Sequence, residues 1–270
     1  MISPRTGRRW RTERAGWALA ALLASATSDA APVETLLLPG VDIREADLEV
    51  GKWCRYLIVD EALGVADSSE VTVAIVGRED VGGEPAYWVE FEAGPYGAAA
   101  ADRDRTLALV SGGITRHARG DSLYRYVHTL YNQKGEAHPE RADPRSLERL
   151  TLTRPTTDAD WTAGGEAAVS TPAGDLRCQR RDLSVETAKE IPSGRVTVVQ
   201  RNTDRFTVWS AREVPVFHLV KCVIERTRES RTRPAVRGIP DVGPRESRTT
   251  TLLLAFGDGA TSHLPLRADP

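Results

Sequence analysis

Histidines and carboxylates that could bind a metal ion stand in the middle of the chain. The histidines are His117, His128 and His138. No carboxylate or cysteine stands beside them at the spacing that metal ligands require. Two acidic pairs, at 102/104 and 158/160, could offer carboxylates to a cation, but charged loops commonly contain such pairs. We therefore predict no metal site and no cofactor.

Motifs of the common enzyme classes are missing from the sequence. It has no serine hydrolase elbow, no phosphate-binding glycine loop, no dinucleotide fingerprint and no zinc-protease helix motif. This pattern predicts that the protein is not an enzyme. The alternative is a hydrolase whose catalytic residues meet only in the folded chain, with a serine, a histidine and an acid within hydrogen-bond distance.

Cysteine chemistry depends on the compartment in which the protein works. The three cysteines, Cys54, Cys178 and Cys222, permit one disulfide in an oxidising environment. If a disulfide forms, we expect Cys178 and Cys222 to form it, because both lie in the C-terminal half where neighbouring strands are expected. Three buried, unpaired thiols are the alternative.

The N-terminus has the pattern of a secretory signal peptide. Basic residues precede an apolar run at 15–26, and small residues follow before Ala31. The run is shorter than the roughly 20 residues that a membrane-spanning helix needs. We predict a signal peptide over residues 1–30, an N-terminal extension over 31–44 and a periplasmic or secreted location.

Composition indicates a folded body without affinity for nucleic acid. The chain has 270 residues, 27% of them charged, and a formal net charge of −2. A near-neutral charge lacks the basic footprint that general nucleic-acid binding requires. We therefore expect no nucleic-acid partner and no transmembrane span.

The elements that must position any site are mostly strands. Tyr87, Val89 and Phe91 alternate with polar or aromatic neighbours, which is typical of a strand with one apolar face. The segments with a strand pattern are 52–60, 71–77, 86–92, 106–110, 123–131, 176–183, 195–200, 205–210, 216–225 and 249–256. Segment 123–131 also has apolar residues at helical spacing, so a helix is the alternative there. We predict a single β-rich domain over residues 45–267.

Three connecting segments are expected from the turn residues. Asn202–Asp204 is expected to form a hairpin turn. The segment 154–174 is expected to be a surface connection or an irregular edge, and the arginine-rich segment 226–248 a mobile hairpin loop. A short helix is expected near 143–150.

A string of motifs in the C-terminal half resembles a group of exported bacterial proteins related to the lipoprotein-carrier superfamily. The string reads TPAGDLRC at 171–178, VWSAREVP at 208–215, LVK at 219–221 and LAFG at 254–257. The resemblance implies a mainly β fold, in which a curved antiparallel sheet forms an incomplete β-barrel with few short helices. It implies acyl chains as ligands.

We accordingly expect an exported carrier that holds an apolar chain, of a lipid or an acylated protein, against the curved sheet. The residues expected to line its pocket are Tyr87, Val89, Phe91, Trp209, Phe217 and Leu219. The alternative is a cell-envelope structural or interaction protein that has a filled β core and binds an envelope protein partner. A cavity filled with side chains would favour this alternative.

Overall fold

The described residues form one antiparallel sheet of eleven strands. The computed structural model describes residues 48–112, 126–144, 161–193, 196–233 and 241–264. The strands are β1 (Trp53–Ala62), β2 (Val65–Val81), β3 (Glu84–Pro95), β4 (Asp104–Ser111), β5 (Val127–Gln133), β6 (Glu140–Ala142), β7 (Thr162–Thr171), β8 (Gly174–Ser193), β9 (Val196–Ser210), β10 (Leu219–Arg233) and β11 (Val242–Gly257). One short 3-10 helix, Ala100–Asp102, follows β3.

Two meanders make up the sheet. Strands β1 to β6 lie side by side in chain order, and so do β7 to β11. The meanders join where β1 pairs with β11, so that Trp53 lies opposite Gly257 and Ala62 opposite Ser247. The sheet is not closed, because β6 and β7 lie at its two ends. The predicted mainly β fold with an open, antiparallel sheet is therefore confirmed.

The two faces of the sheet differ in what covers them. One face, which we call the inner face, carries the main apolar cluster, with residues from both meanders such as Tyr56, Val73 and Phe206. The other, the outer face, carries a smaller cluster around Trp88 and Leu107. The alternation predicted for β3 follows this division, because strand residues point to opposite faces in turn.

The sheet curls toward its inner face. Strand β7 comes close to β10 and β11, although its only neighbour in the sheet is β8. Val169 of β7, with Ala173 and Leu176 from the turn and the start of β8, packs against the inner-face cluster. The β7–β8 hairpin therefore lies over part of the inner face.

The expected turn at Asn202–Asp204 is wrong, because β9 runs through these residues without interruption. Asp204 accepts a hydrogen bond of 2.7 Å from Arg226 Nε on β10. Cross-strand ion pairs of this kind let polar residues occupy a strand that would otherwise resemble a turn.

Most of the arginine-rich segment is strand and not loop, and its residues 234–240 lie outside the described residues. Its first part, to Arg233, belongs to β10, and its last part, from Val242, belongs to β11. Glu229 on β10 lies between Arg201 and Arg231, at 3.9 and 3.7 Å. The segment expected to be irregular contains β7, and most of the expected helix at 143–150 lies outside the described residues.

Across the described ranges, no helix is long and apolar enough to span a membrane.

Candidate functional site

The predicted pocket residues of β3 belong to the packed core. Tyr87, Val89 and Phe91 all point to the inner face and are only 5 to 7% exposed. Their partners across the sheet, in β2, include Ile75 and Val73. These three side chains share one face as expected, but other side chains cover them.

Phe217 and Leu219 join the same apolar cluster from the second meander. Phe217 precedes β10, and Leu219 is its first residue. Both side chains are buried, with 5 and 1% of their surface exposed. The structure thus brings five of the six predicted residues together in one cluster.

Trp209 is the predicted residue that lies apart. It pairs with Arg180 on β8 and Lys221 on β10, and alternation turns it away from its inner-face neighbour Val208. The Arg180 guanidinium and the Lys221 ammonium lie 5.8 and 5.2 Å from the centre of its ring. Trp209 packs only at the margin of the inner cluster, held between two cations.

The connection between β9 and β10 covers the inner face. We call residues 211–218 the plug, because Val214, Val216 and Phe217 are at most 5% exposed and all pack into the inner cluster. Backbone hydrogen bonds close it, from Ala211 N to His218 O at 2.8 Å and from Val214 N to Ala211 O at 3.2 Å. The plug occupies the place where we expected a ligand.

The backbone of the plug is strained. Val216 and His218 have φ angles of 67° and 54°, in the left-handed region that costs a non-glycine residue about 1–2 kcal/mol. A β-branched residue in this region is a marked outlier. Two contacts hold the strained turn, a hydrogen bond from Cys54 Sγ to Pro215 O at 3.0 Å and a 2.8 Å contact between His218 Nδ1 and Val214 O.

Two hydroxyl groups on the inner face have no nitrogen or oxygen hydrogen-bond partner among the described residues. They are Tyr56 Oη on β1 and Thr251 Oγ1 on β11, and both side chains are at most 1% exposed. The Tyr56 hydroxyl lies beside the Cys54 thiol, and burial, then the Cys54 charge and a side-chain hydrogen bond with that thiol, raise the Tyr56 pKa. A buried polar group without a partner costs about 1–3 kcal/mol.

The three cysteines are free and buried, so the expected disulfide is absent. Cys178 and Cys222 lie on β8 and β10, with β9 between them. Strands two positions apart are separated by about 9–10 Å, whereas a disulfide needs Cα atoms within about 7 Å. Burial raises the pKa of Cys54 and Cys222 to about 12 and that of Cys178 to about 11.

Candidate metal ligands do not converge. His128 and His138 are exposed, and His117 lies outside the described residues. Within the described ranges, no three histidine, cysteine or acidic side chains are placed to hold a metal ion.

Glu90 on the outer face is a polar site that sequence reasoning missed. Its carboxylate is 3% exposed and accepts hydrogen bonds from Ser262 Oγ at 2.7 Å, His263 N at 3.0 Å and Leu264 N at 3.3 Å. His263 Nδ1 lies 2.7 Å from the same carboxylate. The alternation in β3 placed Glu90 on the polar face, but no sequence signal showed that a distant segment covers it.

Comparisons with known proteins give distant likenesses in fold only. No family model and no curated protein matches the sequence. A chain from Parabacteroides distasonis, provisionally described as a lipoprotein, is 12% identical with a TM-score of 0.33, over 78% of this chain and 96% of that one. A Bacteroides fragilis chain with a YmcC-like fold, provisionally described as exported, is 9% identical with a TM-score of 0.33, over 78% and 97%. MucB of Pseudomonas aeruginosa, in a complex with MucA, has a TM-score of 0.19 at 9% identity, over 86% and 100%.

Proposed function

We propose that this chain is an exported, non-enzymatic protein of the cell envelope that binds the apolar chain of a lipid or an acylated protein. The ligand binds on the inner face, in the place of the plug. The observation that carries the proposal is the strained plug, which covers an apolar face containing two hydroxyl groups without a nitrogen or oxygen partner among the described residues. The N-terminal signal pattern supports export.

To displace the plug, a ligand must bury enough apolar surface to offset the cost of moving the plug out of the core. Moving Val214, Val216 and Phe217 out of the core costs about 1.5–3 kcal/mol each, so about 5–9 kcal/mol together. Relief of the left-handed strain at Val216 and His218 returns about 2–4 kcal/mol of this cost. At about 0.8 kcal/mol per CH₂ group, a hexadecanoyl chain supplies about 11 kcal/mol and an octanoyl chain about 5. The longer chain supplies more than the whole cost of displacing the plug, whereas the octanoyl chain supplies only about the lower end of it.

The two buried hydroxyls give the proposed ligand site hydrogen-bonding groups. Tyr56 and Thr251 lie on β1 and β11, which are neighbours in the sheet. A hydroxyl donates and accepts one hydrogen bond or more. A ligand with an ester or a carboxyl group along its chain would satisfy both hydroxyls, which the apolar plug does not.

Binding of a fluorescent acyl probe tests the proposal. We expect a hexadecanoyl probe to bind and an octanoyl probe of the same kind to bind at least about tenfold more weakly. Val216→Gly removes one plug side chain and its strain, so it should tighten binding of the hexadecanoyl probe. The matched control is Val223→Gly, a buried valine of β10 on the outer face, which should leave the affinity unchanged.

A charged substitution on the inner face should weaken probe binding, in contrast to Val216→Gly. Phe91→Asp should abolish probe binding because it places a carboxylate on apolar surface, and its thermal unfolding must be followed in parallel. If Phe91→Asp loses probe binding while the protein stays folded, the result supports acyl binding on the inner face. If the wild-type protein binds no acyl probe and native preparations contain no lipid, the carrier reading fails.

The second candidate is an envelope interaction protein whose β core is simply filled. The observation in its favour is the low exposure of Tyr87, Val89, Phe91, Phe217 and Leu219, none above 7%. Such a protein would bind its partner on the outside of the sheet. Crosslinking in the native envelope separates the two candidates, because only the interaction protein would give a protein adduct in the absence of acyl ligand.

A further inference from the structure

A polar groove on the outer face is independent of the plug. We call it the outer groove, a cavity of about 380 Å³. This volume lies within the range of small-molecule sites, about 300–1,000 Å³. The side chains that matter for its chemistry are Trp53, Arg55, Thr72, Glu92, Arg103 and His263.

An indole ring forms one wall of the groove. Trp53 lies against Gly257 of β11, where an added Cβ would meet ring atoms at 3.2 Å. Trp53 Nε1 donates to Asp258 O at 3.3 Å. The glycine therefore lets the ring lie against the strand, and the ring lines the groove as a half-buried apolar surface.

The charges around the groove are already compensated. Arg103 donates to Glu70 at 2.9 Å and to Glu92 at 3.3 Å, and Arg105 donates to Glu92 at 2.8 Å. These groups leave no strong net charge, so the groove favours neither an anion nor a cation. They do hold planar hydrogen-bonding groups in fixed positions.

Arg55 is the cation with hydrogen-bonding capacity to spare. Its ion pair is a long one, 4.0 Å from Glu70, and its side chain is 45% exposed. It stands beside Thr72 in the register of β1 and β2, and Thr72 stands beside Glu92. A guanidinium, a hydroxyl and a carboxylate thus form a row across three strands at the floor of the groove.

The segment that follows β11 forms another wall of the groove, and it is held in place. Gly259, Ala260, Thr261 and His263 line it from the segment that follows β11. Glu90 anchors this segment through the hydrogen bonds described above, and Ala260 N donates to Gly51 O at 2.9 Å. The groove is therefore built before any ligand binds, which lowers the entropic cost of binding.

We propose that the outer groove binds a neutral saccharide. One sugar ring stacks its C–H face on Trp53, and its hydroxyl groups pair with Arg55, Thr72 and Glu92. A neutral polyhydroxyl ligand suits a site that has an aromatic wall, compensated charges and planar donors and acceptors. The site lies on the opposite face of the sheet from the plug, and the proposal does not depend on acyl binding.

Isothermal titration of the purified protein with chitotetraose and with maltotetraose tests the proposal. We expect saturable binding of at least one of the two. Arg55→Gln should weaken that binding about tenfold or more, because it removes a charged donor. Trp53→Phe, which keeps a smaller ring, should also weaken it.

The matched control is Arg201→Gln. Arg201 is also exposed and has a similarly long ion pair, 3.9 Å from Glu229, but it lies on β9, away from the groove. Its substitution should change the affinity less than twofold. The proposal is overturned if neither saccharide binds, or if Arg55→Gln and Trp53→Phe, both shown to be folded by circular dichroism, bind as well as the wild type. Absence of acyl binding by the same protein would contradict the function proposed for the plug and would leave the saccharide proposal unaffected.

Discussion

At the scale of single residues, Glu90 ties a distant segment to the sheet. Its buried carboxylate accepts from the backbone N–H groups of His263 and Leu264. Glu90→Gln would turn an amide NH₂ toward donors, so we expect a loss of about 1–3 kcal/mol in the free energy of unfolding. Urea denaturation measures this change.

The matched control for Glu90 is an exposed carboxylate. Glu166 pairs with Arg177 on the surface, and the Arg177 side chain is 82% exposed. Glu166→Gln should change the free energy of unfolding by less than about 0.5 kcal/mol. Equal changes in the free energy of unfolding would mean that the Glu90 hydrogen bonds stabilise the fold no more than a surface ion pair does.

The buried thiols make stability depend on alkaline pH. Burial raises the pKa of Cys54 and Cys222 from 9.0 to about 12. Between about pH 9 and pH 12 the unfolded chain releases these protons and the folded chain retains them. The free energy of unfolding should therefore fall as the pH rises through this window, by up to about 1.4 kcal/mol per pH unit for each thiol.

Denaturation at a series of pH values checks this slope. The double variant Cys54→Ala, Cys222→Ala should show a shallower decline above pH 9, although cavities lower its stability at every pH. The interpretation fails if the wild type and the variant decline in parallel.

At the scale of elements, the β1–β2 hairpin contains an unfavourable residue at its turn. Leu63 and Gly64 have φ angles of 54° and 81° and connect the paired residues Ala62 and Val65. A two-residue turn of this kind favours Asn-Gly. Leu63→Asn should raise the free energy of unfolding by about 1 kcal/mol, which thermal unfolding measures.

The control for this turn is Val65→Asn. Val65 is also exposed, at 69% against 79% for Leu63, but it lies in β2 with extended backbone. Asparagine is unfavourable in strands, so this variant should gain no stability. A gain in both variants would point to removal of exposed apolar surface, and not to the turn, as the cause.

Elements with apolar alternation were predictable from the sequence, and elements with polar faces were not. Tyr87, Val89 and Phe91 alternate because one face of β3 is buried, and the predicted strand alternation is confirmed. Arg226 on β10 has its partner, Asp204, on another strand. Local sequence shows no such pairing, so the second half of β10, from Arg226, resembled a loop.

The site was predictable only in part, for a similar reason. Apolar type identified Phe217 and Leu219 as buried residues, but not the return of residues 211–218 onto the inner face. The backbone conformation of Val216 runs against its residue type. Trp209 was expected inside, whereas the register of β8, β9 and β10 places it between two cations.

At the scale of the whole molecule, we expect the N-terminus to be processed. A basic segment, a short apolar run and small residues precede Ala31 in the order that signal peptides use. N-terminal sequencing of protein from the native host should find a mature chain that starts near Ala31. Recovery of intact Met1 would reject export through a cleaved signal.

The pairing of β1 with β11 determines when the sheet can be completed. All other neighbouring strands in the sheet are consecutive in the chain, whereas this pair joins residues near 53 to residues near 257. Contacts between residues so far apart in sequence form slowly. Until β11 is available, one edge of β1 therefore has no partner strand, and unpaired edges are prone to aggregation. The first of the described strands is thus the one whose free edge is covered last, so formation of the described sheet ends where β1 pairs with β11.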